Sequence, residues 1–211
     1  GVCKHREAPH PQGLGSEVFL TPAKENIDGA IRQAHNLLSD EPNKYYMPNQ
    51  YENPDNVLAH FETTGPEIYR QTNGEIDYFV AGMGTGGTLM GTGGYLKSVK
   101  PTINIVGVEP VMGHTIQGLK NMTESIVPAI YKEGNLDIKE MVEDGEAFEM
   151  TGLLAQKEGI FVGTSSGAAA AVALRIAKRI DRGTIVVLFP DRGDRYLSTM
   201  QFRSICAKCP P

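Results

Sequence analysis

Apolar and polar positions along this chain change period several times, and the changes divide it into elements. Residues 76–81 form a short apolar, aromatic run of strand type, which ends in the turn Gly82-Met83-Gly84-Thr85-Gly86-Gly87-Thr88. The pattern then turns helical over 86–99, and Pro101 separates that helix from an apolar strand at 103–108. Further on, the spacing predicts a weak strand at 138–142, a helix at 144–157, a short strand at 160–162, an alanine-rich helix at 168–179 and a wholly apolar strand at 184–189. Residues 113–130 predict a short helix followed by loop. Upstream, 1–14 has no apolar period, 15–20 predicts a strand stopped by Pro22, and 42–54 is a loop rich in Asn, Pro and Tyr. Helix 26–39 gathers Ile27, Ala30, Ile31, Ala34, Leu37 and Leu38 on one face, and a longer helix at 55–71 closes on Asn73-Gly74.

Strands alternating with helices predict an α/β fold, a mostly parallel sheet with helices on both faces. Ligands of such sheets sit beyond the carboxyl ends of the strands. The two glycine-rich turns, 84–88 and 163–167, both follow strands and are expected to line one cleft there.

Composition narrows the class of partner. A net charge of −5 argues against nucleic acid or a membrane surface as the main partner. No apolar run reaches the roughly 18–20 residues that span a bilayer. Three cysteines, two of them in Cys206-x-x-Cys209, do not make a secreted disulfide framework, so the expected compartment is the cytosol. That pair is half a zinc site or a redox pair, and no complete metal site is expected. His60 is expected to be a packed or capping residue. The mixed charges Asp191, Arg192, Asp194 and Arg195 are expected to form either a solvated, salt-bridged turn or, since they follow the strand that starts at Thr184, a turn that borders the bound ligand.

A strand, a glycine turn and a helix start together make an anion site, because several N–H groups converge there and the helix dipole favours negative charge. Two cofactors compete for it. Gly82-x-Gly84-x-x-Gly87 matches the dinucleotide fingerprint, and Glu109 lies where a ribose-binding acid would be. Thr85 and Thr88 instead suit one phosphate monoester held by hydroxyls and amides. Ser165 and Ser166, at a helix start, are either N-caps or hydroxyls facing a heterocycle nitrogen. A phosphate at one turn and a ring nitrogen at the other describe pyridoxal phosphate better than a dinucleotide.

At these residues the chain resembles the cysteine synthase (O-acetylserine sulfhydrylase) group of fold-type-II pyridoxal-phosphate enzymes. The resemblance rests on Asn49-Gln50-Tyr51-Glu52-Asn53-Pro54-Asp55-Asn56, His60-Phe61-Glu62-Thr63-Thr64-Gly65-Pro66-Glu67-Ile68, Gly84-Thr85-Gly86-Gly87-Thr88 and Gly107-Val108-Glu109-Pro110. Residues 158–167 and 191–199 continue it in the same order. Cystathionine β-synthase shares much of the pattern, but Thr63-Thr64-Gly65-Pro66-Glu67 leans towards cysteine synthase. The resemblance implies β-replacement on O-acetylserine or O-phosphoserine with sulfide, through an aminoacrylate, in a homodimer. It assigns Gly84, Thr85, Gly86, Gly87 and Thr88 to the cofactor phosphate, Ser165 to the pyridine nitrogen and Gln50 to the substrate carboxylate, the other reading of Gln50 being a loop-stabilising amide. It also implies a division into an irregular 1–14, a small-domain remnant at 15–45, a cofactor-binding large domain at 46–202 and a tail at 203–211. The Schiff-base lysine and the Asn-Thr-Gly loop that the family carries upstream have no counterpart here. Lys4 is expected to be an exposed lysine of a frayed terminus, no catalytic residue is assigned, and the chain is expected to be an N-terminally truncated fragment. A non-catalytic phosphate or pyridoxal-phosphate module, and more weakly an NAD-binding Rossmann domain, remain as alternatives.

Overall fold

The computed structural model describes residues 13–197. In chain order the elements are α1 (Asn26–Asp40), α2 (Asp55–Ala59), α3 (Gly65–Gln71), β1 (Tyr78–Gly82), α4 (Gly87–Val99), β2 (Asn104–Pro110), β3 (Ile138–Val142), α5 (Asp144–Glu158), α6 (Thr164–Ala177) and β4 (Ile185–Val187). Residues 13–49 belong to one compact unit and 50–197 to another.

The larger unit is built on a parallel sheet of order β3-β2-β1-β4, with Val80 paired to Val106 on one side and Val187 on the other. Parallel strands are covered on both faces, so their runs are apolar throughout and alternate residues serve opposite cores. Val80, Val106, Val108 and Val142 pack with Ala147 of α5 and Ala168, Ala169 and Val172 of α6. Phe79, Ala81 and Ile105 face the other way, onto Leu89 and Leu96 of α4. The chain steps from β1 outward to β2 and β3, then returns to the far side of β1 as β4. The carboxyl end of β1 therefore lies at the reversal of strand order, where open α/β sheets bind ligands. Asp77 fixes the start of β4. It accepts from Thr184 N at 2.9 Å and from Lys100 Nζ at 3.2 Å, and these contacts hold its carboxyl below the ordinary carboxylate range.

Four predicted elements change on the structure. Residues 15–20 pair with no described strand, and Phe19 and Leu20 are exposed; alternation signals extended chain, but a strand needs a neighbour to take its amides. Residues 113–130 form no helix. Gly113 and Gly118 adopt positive φ, and side chains satisfy the backbone instead: Asn121 Oδ1 accepts from Thr123 N and Glu124 N, and Glu124 accepts from Gly113 N. Residues 160–162 reduce to one antiparallel bridge, Val162 to Arg192. The strand predicted at 184–189 shrinks to three half-buried residues that pair only with β1 among the described residues.

The long helix predicted at 55–71 is one helix in path but has a π-turn, His60–Thr64, between α2 and α3. It packs against α4, whose Gly91 is the contact point: a Cβ there would lie 2.7 Å from His60 Cβ and 3.0 Å from the Phe61 backbone N, and closer still to the Val57 carbonyl. In the smaller unit, α1 is amphipathic but only half-covered. Gly29 is its one buried residue, and an exposed Arg32–Glu25 pair at 3.0 Å ties it to the turn before it.

Candidate functional site

The site starts where β1 runs out. Met83 N still donates to Val108 O at 2.9 Å, and Met83 O accepts from Lys120 N at 2.7 Å, which seats the 113–122 loop over the strand end. The chain then turns through Gly84 and Thr85 to Gly86, whose φ of +88° makes it the left-handed residue capping α4. A side chain there would carry a left-handed penalty of about 1–2 kcal/mol. The N–H groups of Thr85, Gly86, Thr88 and Leu89 form no backbone hydrogen bond among the described residues. Four free donors at the positive end of a helix are a ready cradle for an anion.

Asn56 clamps the cradle from α2. Its Nδ2 donates to Thr85 Oγ1 at 3.2 Å and to Gln50 O at 2.7 Å, while Gly87 N donates to the same Thr85 oxygen at 3.3 Å. Both lone pairs of that hydroxyl are thus engaged, and its proton is left to donate outward. Thr88 Oγ1 bonds His60 Nε2 at 3.2 Å, and His60 Nδ1 bonds Thr64 Oγ1 at 2.9 Å. His60 therefore couples the π-turn, a feature common at functional positions, to the cradle.

Across the cradle stands Ser165, in the first turn of α6 and 5% exposed. Gly118 lies between them. A Cβ on Gly84 would come 2.9 Å from Gly118 O, and one on Gly118 would come 3.9 Å from Ser165 Oγ. The two predicted turns thus line one cleft. Ser165 Oγ has no hydrogen-bond partner among the described residues. The N-cap of α6 is Gly163, so neither Ser165 nor Ser166 caps it. Gln50 joins the site through its backbone carbonyl, and its side chain is exposed.

A phosphate monoester carried on a pyridine fits these residues: free amides and an outward hydroxyl at one end, an unpartnered buried serine at the other. A dinucleotide does not. Glu109, the would-be ribose acid, is 3% exposed and already spent, accepting from Met122 N at 2.6 Å and paired with Lys139 at 3.3 Å. Sequence reasoning missed three contributors. Asn56 was visible only as part of a matching segment. Gly118 and the buried Lys120, whose Nζ lies 5.2 Å from the Tyr51 ring centre, come from 113–130, where the pattern predicts a short helix followed by loop. Among the described residues no cluster of His, Cys, Asp and Glu suits a metal, and no helix is long and apolar enough to cross a membrane. Lys4, Cys206 and Cys209 lie outside the described residues.

Burial lowers the His60 pKa from 6.5. As pH falls the unfolded chain therefore takes up that proton first, and stability present above about 6.5 is lost towards the lower folded value. Thermal melts should fall more steeply between about pH 7.5 and 5.5 for the native chain than for His60→Gln. Parallel slopes would remove His60 from the acid response.

Comparison with known proteins agrees with the fold. The sequence matches the family model "Pyridoxal-phosphate dependent enzyme" over residues 6–191. Cysteine synthase of Aquifex aeolicus is 45% identical over 196 residues, 90% of this chain and 60% of that protein. Cysteine synthase B of Pseudomonas aeruginosa is 40% identical over 185 residues, 88% of this chain and 61% of its own length. The crystal structure of cysteine synthase (OASS) from Entamoeba histolytica superposes with a TM-score of 0.85 at 34% identity, covering 94% of this chain and 61% of that one. The chain thus spans about 60% of the length of its curated relatives. The family match takes in well over half of the sequence, and the chain belongs to the pyridoxal-phosphate dependent enzymes.

Proposed function

We propose that this chain carries the cofactor cup of an enzyme of cysteine biosynthesis that replaces the β-substituent of an O-activated serine with sulfide. The observation that carries the reading is the free-amide cradle at the end of β1 facing a buried serine. Pyridoxal phosphate supplies an electron sink for carbanion chemistry when bound. Gly84, Thr85, Gly86, Gly87 and Thr88 form the turn that holds its phosphate, by the free amides of Thr85, Gly86 and Thr88 and by the outward Thr85 hydroxyl, with Thr88 braced on His60. Ser165 presents a neutral hydroxyl to the ring nitrogen. A carboxylate there would favour a protonated ring; serine does not, which moderates the sink and suits β-replacement over deeper carbanion chemistry. Gln50 offers amide donors to the carboxylate of the amino-acid substrate. The names of the relatives support the reaction class.

Fluorescence titration of the 211-residue chain with pyridoxamine 5'-phosphate and, separately, NAD tests the cup. Saturable binding of the first and none of the second is expected; the reverse would overturn the reading. A second expectation concerns the covalent anchor. With no lysine segment of the family kind in the sequence, borohydride reduction after incubation with pyridoxal phosphate should leave no stoichiometric adduct by mass. A single lysine labelled to completion would show that this chain supplies the anchor itself.

A further inference from the structure

Resting on that reading, the turn that carries Ser165 has a support of its own. Gly163 precedes α6 in extended conformation, and Asp191 and Tyr196 press against it. A Cβ on Gly163 would lie 2.5 Å from Tyr196 Cε2 and 3.0 Å from Asp191 Cγ, and nearer still to Asp191 Oδ1. Only glycine lets this carboxylate reach the helix start. Backbone contacts lock the approach: Gly163 N donates to Asp191 O at 3.4 Å, and Gly193 N donates to Phe161 O at 3.1 Å. One carboxylate oxygen, Asp191 Oδ2, accepts from Tyr196 OH at 2.5 Å, which fixes the group's orientation. The other, Oδ1, is buried and has no partner. In the same turn the hydroxyls of Thr164 and Ser166, residues 4% and 0% exposed, are also buried without partners. Buried polar atoms are almost always paired, so three orphans around one turn mark a network that an ordered water or the ligand completes. The charge is also well placed, since a carboxylate at the amino end of a helix is stabilised by the dipole.

We infer that Asp191 is a positioning residue for the cofactor ring: oriented by Tyr196, it holds the first turn of α6 so that Ser165 Oγ meets the ring nitrogen. Asp191 touches no ligand atom in this scheme. Its effect passes through the turn to Ser165, and therefore depends on the ligand having a ring nitrogen and on the serine being present.

The test uses the full chain and two probes, pyridoxamine 5'-phosphate and benzyl phosphate, which keeps the phosphate and an aromatic ring but lacks the nitrogen. Asp191→Asn keeps the shape and removes the charge; Tyr196→Phe removes the orienting bond. Each should weaken pyridoxamine phosphate about 5- to 10-fold, shift the absorption band of the bound ring, and leave benzyl phosphate within about 2-fold. In a Ser165→Ala background the Asp191→Asn substitution should have no further effect, because the two act in series. Equal weakening of both probes, or an undiminished effect without Ser165, would reduce Asp191 to a general support of the fold and overturn the inference. An unchanged affinity in Asp191→Asn would do the same. If the native chain bound neither probe, the cup reading itself would fall, an outcome distinct from these.

Discussion

Replacing Gly91 by alanine is expected to lower the melting temperature of the chain by roughly 6–12 °C, a loss of about 3 kcal/mol. Local propensity points the other way. Alanine favours a helix interior by about 1 kcal/mol over glycine, and α4 carries four glycines, at 87, 91, 93 and 94. The packing decides the sign. At Gly91 the new methyl would meet backbone, the Phe61 N at 3.0 Å and the Val57 carbonyl closer still, on a helix whose π-turn already bends around the contact. Backbone cannot rotate aside as a side-chain end can, so α4 and the 55–71 helix must separate, and the cores above Leu89 and Leu96 open with them. Gly94, one turn on, is the control. It is exposed, and a Cβ there would make ordinary contact with Phe61 at 3.6 Å. Gly94→Ala should therefore raise stability by about 0.5–1 kcal/mol. Differential scanning of the two variants checks both; a stabilised Gly91→Ala would mean the helices are not in close contact.

The contrast between these two glycines also marks what the sequence could and could not disclose. β1 and its turn were legible because an apolar run abutting paired glycines is a local signal. So was the alternation that predicts a parallel sheet. What escaped was set by distant groups. Asn56 and Gly118 converge on the cradle from separate stretches of chain, and only the family likeness marked the first, whereas Ser165 was legible as a hydroxyl at a second glycine-rich turn. The 113–130 loop follows side chains rather than period: Glu109, an acid that fits a ribose on paper, is consumed by Met122 N and Lys139. The start of α6 was placed at 168 because Thr164, Ser165 and Ser166 have the composition of a turn, yet Ser166 N and Gly167 N already donate to Gly163 O. A small polar run at a helix start and a turn look alike until the cap is seen. Residues 15–20 fail for the complementary reason, since their alternation is real but no described strand receives it.

Gly87→Ala is expected to weaken binding of pyridoxamine 5'-phosphate about 100-fold, equivalent to about 2.7 kcal/mol. Gly87 is the first residue of α4, and its backbone conformation would suit alanine. The obstacle is Asn56. A Cβ on Gly87 would lie 2.5 Å from Asn56 Cγ and 2.9 Å from Nδ2, so the amide must leave. Its departure breaks two bonds together, to Thr85 Oγ1 and to Gln50 O. Thr85 then loses one of the two donors that turn its hydroxyl proton outward, and the Gln50 segment loses its tie to the cradle. The free amides of Thr85, Gly86 and Thr88 survive only as a looser set, and an anion site draws its strength from donors fixed in advance. Asn56→Ala removes the clamp without adding bulk and should cost about 10-fold. In that background Gly87→Ala should cost far less than it does alone, because the colliding amide is gone; this non-additivity is the signature of a steric route. Fluorescence titration of the four proteins measures it, with inorganic phosphate as competitor to confirm that the cradle is what has changed. A Gly87→Ala chain that bound within about 2-fold of the native one would show that the Asn56 clamp plays no part in holding the phosphate.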